Sequence, residues 1–289
     1  MEYSTFLQSL VNGLVAGMVI ILIALGLNLV FGIMNIVNLA HGEIYMLGAY
    51  FMWLGCVGLH QNYILSFIIS ITAVALLGII LEKLFFKPLR GLLLPAMLIA
   101  IGLILVLQTT ALLFFGEQPL GIPAPPILEG VIRGFGAMIS RERLALIIVS
   151  LICMVLSYGF ISFTKTGKAM QAVAQDPYAA ALQGISIDKI CSLTMAIGCA
   201  MAAAGGCLMG IISPITSVMG APQLLQALVV LVLGGLGSIL GTVVGGLIIG
   251  LTRGFISTYI STTMASIVVF ALLFIILVFK PSGLFGRHE

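Results

Sequence analysis

Four side chains between residues 35 and 43 could do chemistry: Asn35, Asn38, His41 and Glu43. They lie beside Gly42, between apolar runs that otherwise read as membrane helix. Histidine titrates near neutral pH, and carboxylates inside membranes often carry protons. In hydrocarbon such groups are expensive, and so is any backbone that leaves the helical ladder. The cluster is tolerable where a helix breaks beside a water-filled cavity or against other protein, which is how transporters build a substrate path. An ordinary interfacial turn between two spans also needs polar residues and a glycine. The residues alone leave both readings open.

A second interruption falls at Leu233-Gly234-Gly235-Leu236-Gly237-Ser238-Ile239-Leu240-Gly241. Four glycines in so short a run remove the side chains that hold a helix together, which predicts a break. Gly237, Gly241 and Gly245 recur every four residues, and Gly246, Gly250 and Gly254 repeat the spacing. Glycines four apart share a helix face and let another backbone approach, so 237, 241 and 245 are expected to form a helix contact. Two interrupted segments toward opposite ends of a chain suggest an inverted repeat with its pathway between them. On that reading Asn35, Asn38, His41, Glu43, Gly234 and Gly235 line the path. If His41 and Glu43 relay protons instead, the chain is a secondary carrier.

These groups must be held by membrane helices. A mean hydropathy of +1.28, with 61% hydrophobic and 7% charged residues, excludes a soluble globular domain, where about a quarter of residues are charged. One polytopic, all-α membrane domain over residues 1–289 is expected, with no room for a second folded unit. The first residues, Met1 to Thr5, lack the basic region of a secretory signal, so the first apolar run is expected to stay as a span. Runs long enough for a bilayer lie near 9–31, 42–59, 62–81, 93–115, 143–163, 190–212, 239–257 and 262–279, with a shorter one near 223–235. This predicts eight or nine crossings. Lys83, Lys87 and Arg90, then Lys165, Lys168 and Lys189, then Lys280 and Arg287 hold eight of the twelve basic residues. Placing them in the cytoplasm puts the N-terminus outside. Pro119, Pro123, Pro125 and Pro126 disfavour a span in the central loop, and Ile127 to Ile139 is expected to form a short surface helix. The net charge of +3 gives no reason to expect nucleic acid as a partner. The five cysteines lie in apolar runs without metal-site or disulfide spacing and read as small packing residues.

The segment from Thr164 to Lys189 is too long and polar for a simple turn. Lys168 to Gln175 is alanine-rich; Asp176 then offers an N-cap with Pro177 at the first helical position, and Gly184 closes a second short helix. Such a compact knob either grips another protein or merely connects two spans. No nucleotide site accompanies it. Gly167-Lys168 is followed by Ala169, and Ser162 stands where a P-loop needs its first glycine. No His-Glu-x-x-His motif occurs, and no serine or cysteine has a convincing local base, which leaves an intramembrane enzyme without its machinery.

Three blocks together resemble the LivH-type permeases of bacterial branched-chain amino-acid importers. Ala24 to Gly32 leading into Asn38-Leu39-Ala40-His41-Gly42-Glu43 is similar to the family's first signature. Gly167 through Asp176 to Gly184-Ile185 is similar to its coupling loop, and Gly234 to Gly241 to its late glycine block. Lys168 and Gln171 depart from the family, whose members often carry arginine there. The resemblance implies a type II ABC importer-like permease in the bacterial inner membrane. It implies a homologous second permease, two cytoplasmic ATPase subunits and an extracytoplasmic binding protein as partners. It also implies that this chain binds no cofactor and that its partners use the ATP. Docking to the ATPase would then fall on Gly167, Lys168, Ala172, Val173, Asp176, Pro177, Ala180 and Gly184. Similar permeases serve other amino acids, amides or urea, so the resemblance leaves the solute open.

Overall fold

The computed structural model describes residues 2–134, 137–280 and 283–285; Arg287 of the basic tail lies outside them. The chain forms helices α1 (Glu2–Met34), α2 (His41–Trp53), α3 (Tyr63–Leu81), α4 (Leu93–Phe115), α5 (Arg141–Phe163), α6 (Lys165–Gln175), α7 (Pro177–Leu182), α8 (Ile187–Ile212), α9 (Gly220–Gly234), α10 (Ile239–Tyr259) and α11 (Thr262–Phe279). A π-helical turn, Leu54–Gly58, extends α2, while a π turn and a 3-10 turn carry α3 on to Leu89. Local chemistry sets several boundaries. The Leu65 backbone N–H donates to Asn62 Oδ1 at 2.8 Å to start α3, and α4 stops at Gly116, whose φ of 81° suits a residue without Cβ.

Seven helices among the described residues are long and apolar enough to cross a membrane: α1, α3 with its extension, α4, α5, α8, α10 and α11. The sequence suggested eight or nine. The runs near 42–59 and 223–235 make the difference. The first is weakened by His41 and Glu43 at the start of α2, and the second gives α9 only 15 residues. At 1.5 Å per residue, α1 is about 50 Å long, well beyond the ~30 Å hydrocarbon core.

Burial sorts the helices into a centre and a lipid-facing shell. The apolar windows of α1 and α8 are 78% and 72% buried, against 11% for α11. Small residues let the central backbones meet. A Cβ on Gly198 of α8 would lie 2.8 Å from the Gly26 carbonyl of α1, and one on Gly48 of α2 would lie 2.5 Å from Ala203 Cα. Along the α1–α10 seam, Gly13 and Gly17 face Gly250 and Gly254, backbone against backbone.

The central loop differs from the helix expected over Ile127–Ile139. It holds an antiparallel hairpin, β1 (Val131–Gly134) and β2 (Ala137–Ser140), with Ile132 opposite Ile139. Val131, Ile132 and Ile139 are β-branched, and Gly134 disfavours a helix, so strand pairing wins locally. The same loop is tied to the segment after α8 by paired backbone bonds between Leu120 and Ile215, at 3.0 and 2.8 Å.

Candidate functional site

The chain leaves α1 at Asn35, whose φ of +51° lies in the left-handed region that asparagine tolerates. It then runs irregularly to Asn38, turns at Leu39–Ala40 and re-enters helix at His41. Asn38 organises this passage: its Oδ1 accepts the Ala40 N–H at 3.0 Å, and its backbone carbonyl accepts the His41 N–H at 3.2 Å. Asn38 thereby answers two of the backbone N–H groups that the break frees from the helical ladder. His41 is fully buried against Gly26, where an added Cβ would lie 2.9 Å from Nε2. Gly26 is eight residues inside the end of α1, about 12 Å by helical rise. Thus α2 begins within the bundle and not at its surface. Neither ring nitrogen of His41 completes a well-formed hydrogen bond, although the Ile23 carbonyl is close by. Glu43 accepts from Gln108 Nε2 of α4 at 2.9 Å through one oxygen, and the other has no partner among the described residues.

A second helix start meets this point. Gly220, the first residue of α9, packs against Gly42 so tightly that a Cβ on Gly42 would fall 2.8 Å from Leu224 Cβ. Two half-helix N-termini thus converge inside the bundle, beside His41 and Glu43. The sequence had paired the break at Asn35–Gly42 with the glycine block at 234–241, which lies at the other end of α9.

Gly234 and Gly235 are buried at that far end and do not join Asn38, His41 and Glu43. A Cβ on Gly234 would strike the Gly241 carbonyl group, and the chain's last described residues cover the helix end. Leu284 and Phe285 N–H groups donate to the carbonyls of Leu233 and Gly234 at 2.8 and 3.1 Å. Gly237 is not a helix-packing residue. It sits in the turn between α9 and α10 with φ +80° and nothing within 4 Å of a Cβ. Its spacing matched the helical series, but the helix starts only at Ile239. Gly241 and Gly245 do pack, against the end of α9, while Gly246, Gly250 and Gly254 take the face toward α1.

Asn28 holds this turn in place, a role that the sequence did not single out. Buried in α1, it donates through Nδ2 to the Ser238 carbonyl at 3.0 Å and the Thr242 hydroxyl at 2.8 Å, and its Oδ1 accepts the Gly237 N–H at 2.7 Å. An asparagine inside an apolar run was the only available signal. Asn28→Ala removes all three hydrogen bonds and leaves the buried Thr242 hydroxyl without Asn28; it is expected to cost about 1–3 kcal/mol, read as a fall in thermal midpoint of the detergent-solubilised protein. An unchanged midpoint would show that the turn holds without it.

The four polar residues of the break also differ in access. Asn35 is exposed, whereas Asn38, His41 and Glu43 are buried at 0%, 0% and 1%. In the purified protein, a cysteine at 35 is expected to react readily with a water-soluble thiol reagent. Cysteines at 38, 41 and 43 should react only during turnover, when helices part. If all three stay inert in a complex that transports, the break is scaffold and lines no path.

The residues of the 164–189 loop come together as one cap. Thr164 Oγ1 accepts the Gly167 N–H at 2.9 Å to start α6, and Gly167 is pressed onto the carbonyls of Phe160 and Ile161. Asp176 Oδ1 accepts the N–H groups of Tyr178 and Ala179 at 2.8 and 3.0 Å, Pro177 opens α7, and Gly184 follows it at φ +81°. Met170, Val173, Ala180 and Ile190 form a small apolar core, with Ala172 and Ile33 packed on it. Ile33 lies two residues before Asn35, so the cap rests on the lip of the break. Of the expected docking residues, Gly167, Val173 and Ala180 face inward, while Lys168, Asp176, Pro177 and Gly184 are exposed. The prominent outward groups are Tyr178 and Leu182, 81% and 80% exposed and one turn apart on α7. Their i, i+4 spacing on a capped helix was a signal available in the sequence.

An ionic cluster fastens the cap to α3. Asp188 pairs with Lys87 at 2.7 Å and Arg90 at 2.6 Å, Arg90 pairs with buried Glu82, and the Ser192 hydroxyl donates to Glu82 at 2.6 Å. The 83–90 turn and the start of α8 are therefore one unit.

Apolar spanning helices around a buried, broken polar segment, with a structured cap on its lip, make a multi-pass membrane transport component. The family described as branched-chain amino acid transport system / permease component matches residues 9–277, and the chain belongs to it. The LivH permease protein of the high-affinity branched-chain amino acid transport system is 34% identical in Salmonella typhimurium and in Escherichia coli K12, over 100% of this chain and 98% of each relative. The BraD permease protein of the corresponding Pseudomonas aeruginosa system is also 34% identical, with the same coverage. No solved structure matches significantly.

Proposed function

We propose that this chain is the membrane-spanning permease subunit of an ATP-binding-cassette importer for branched-chain amino acids in the bacterial inner membrane. It works beside a homologous second permease, two cytoplasmic ATPase subunits and an extracytoplasmic binding protein. Its N-terminus faces outward, and the cap of α6 and α7 faces the cytoplasm with the lysines of its loop. The observation that carries this reading is the cap itself: a rigid, capped unit whose core includes Ile33, at the lip of a break holding Asn38, His41 and Glu43. Motion of a partner against α7 would reach α1 and the break directly, with no nucleotide site needed on this chain. A proton-coupled carrier using His41 and Glu43 has no use for such a cap.

Reconstituting the chain with its partner subunits and binding protein tests the proposal. Leucine, isoleucine and valine are expected to stimulate ATP hydrolysis and to be accumulated in proteoliposomes. Stimulation by urea or amides in their place would reassign the solute. Accumulation driven by a proton gradient without ATPase subunits would overturn the importer reading.

A further inference from the structure

One intramembrane charge has no part in the site described so far. Arg253 stands in α10 next to Gly254, which packs on Gly13 of α1, and so lies well inside the end of α1 opposite to the cap. An arginine within a span is costly and is retained where it meets a partner or a hydrated cavity. Its side-chain hydrogen-bond partner among the described residues is neutral: Arg253 Nη1 donates to Gln226 Oε1 of α9. The ion pairs among the described residues are confined to the Glu82, Lys87, Arg90 and Asp188 cluster, so no carboxylate balances it there.

Arg253 instead lines a partly open cavity of about 140 Å³ formed by residues of α1, α8, α9 and α10. Asn12, Gln223 and Ser257 supply its other polar groups, and Ala16, Val19 and Met209 form an apolar wall. Among the described residues, no acidic side chain lines it. Asn12 in turn accepts from Arg143 of α5, which brings a second positive charge to the rim. Gln223 belongs to the first turn of α9, whose N-terminal dipole adds to the positive field. A guanidinium with free donors matches the two oxygens of a carboxylate, while the opposite wall accepts an apolar group. The volume is well below the ~300 Å³ of a drug-sized pocket, which suits a small solute.

We propose that Arg253 recognises the α-carboxylate of an amino acid in an entry subsite on the outer side of the permease, with the solute's apolar side chain against Ala16, Val19 and Met209. The location rests on the importer reading above, which places this mouth outside. The subsite would make the permease itself select for carboxylate, in addition to whatever its binding protein selects.

The test uses the assembled complex carrying Ser257→Cys, labelled with a water-soluble thiol reagent in the nucleotide-free and vanadate-trapped states. Leucine is expected to slow labelling at least tenfold in one of these states. Leucinol, which has the same side chain and amine but no carboxylate, should not. Arg253→Gln added to this background should abolish the protection and lower leucine uptake at least tenfold. Arg253→Lys, which keeps the charge without the fork, should fall between. Equal protection by leucine and leucinol, or no protection in either state, overturns the proposal, and neither comparison alters residue 253. Leucine uptake by the unmodified complex is measured alongside. If that uptake is present and protection fails, only the subsite falls; if uptake is absent, the branched-chain solute assigned above falls with it.

Discussion

On the importer function proposed above, replacing Tyr178 and Leu182 together by aspartate is expected to lower ATP-driven uptake more than tenfold and to release the ATPase subunits from the purified complex. The two side chains are the most exposed apolar groups of the cap and stand one turn apart on α7. A helix face presented in this way fits an apolar groove on a partner, and two carboxylates would oppose its burial. Folding of the permease should hardly change, because exposed substitutions usually shift stability by less than about 0.5 kcal/mol. Ala180→Glu makes the contrast. Ala180 is packed with Met170, Val173 and Ile190, so a carboxylate there has no partner and should cost about 3 kcal/mol. That variant should lose the cap, seen as protease cleavage between residues 164 and 189. Cysteines at 178 and 182 should also cross-link to the ATPase. Should cross-links form only from the 83–90 turn, the docking surface lies there, and the ionic cluster with Asp188 would be its link to the cap.

Gly250→Leu should prevent the bundle from assembling. A Cβ at this position would already overlap Gly17 of α1 and lie 2.7 Å from the Gly13 carbonyl. Relief would require α1 and α10 to separate along their whole seam, because Gly13, Gly17, Gly250 and Gly254 lie in one contact. Overpacking a close contact usually costs about 1–3 kcal/mol, and backbone overlap puts this case at or above the upper end. The expected result is loss of the folded, detergent-stable protein, with Gly250→Ala giving a smaller fall in thermal midpoint. Gly102→Leu is the control, since nothing lies within 4 Å of a Cβ there. A Gly250→Leu protein as stable as the Gly102→Leu one would mean that the helices do not meet at this seam.

Much of this architecture was legible because membrane helices declare themselves by length and hydropathy. Except at the start of α1, which lies seven residues before its expected run, the apolar runs fell within a few residues of the helices observed, and the Asp176-Pro177 cap and Gly184 stop of α7 were read from local chemistry alone. Local signals failed where the partner is distant in sequence. Gly237 kept the four-residue spacing of Gly241 and Gly245, yet the helix that would have given this spacing a common face begins after it. Asn28 looked like any isolated polar residue until the fold placed Ser238 and Thr242 beside it, more than 200 residues away. Ile127–Ile139 became a hairpin, because pairing across the loop outweighs a weak helical preference.

The amino-acid sequence by itself determined that this is a membrane protein of many spans, that α1 is interrupted near Asn35, and that a capped loop follows α5. Hydropathy, caps and breakers act over a few residues, so those features need no knowledge of what lies alongside. Only the tertiary structure decided that the start of α2 meets the start of α9 at Gly42 and Gly220. It likewise placed the cap on Ile33 and left Arg253 facing a cavity without a carboxylate. Those outcomes depend on which helix faces touch. In a chain whose spans are nearly all apolar, close packing of small residues makes that choice, and the hydropathy pattern carries little record of it.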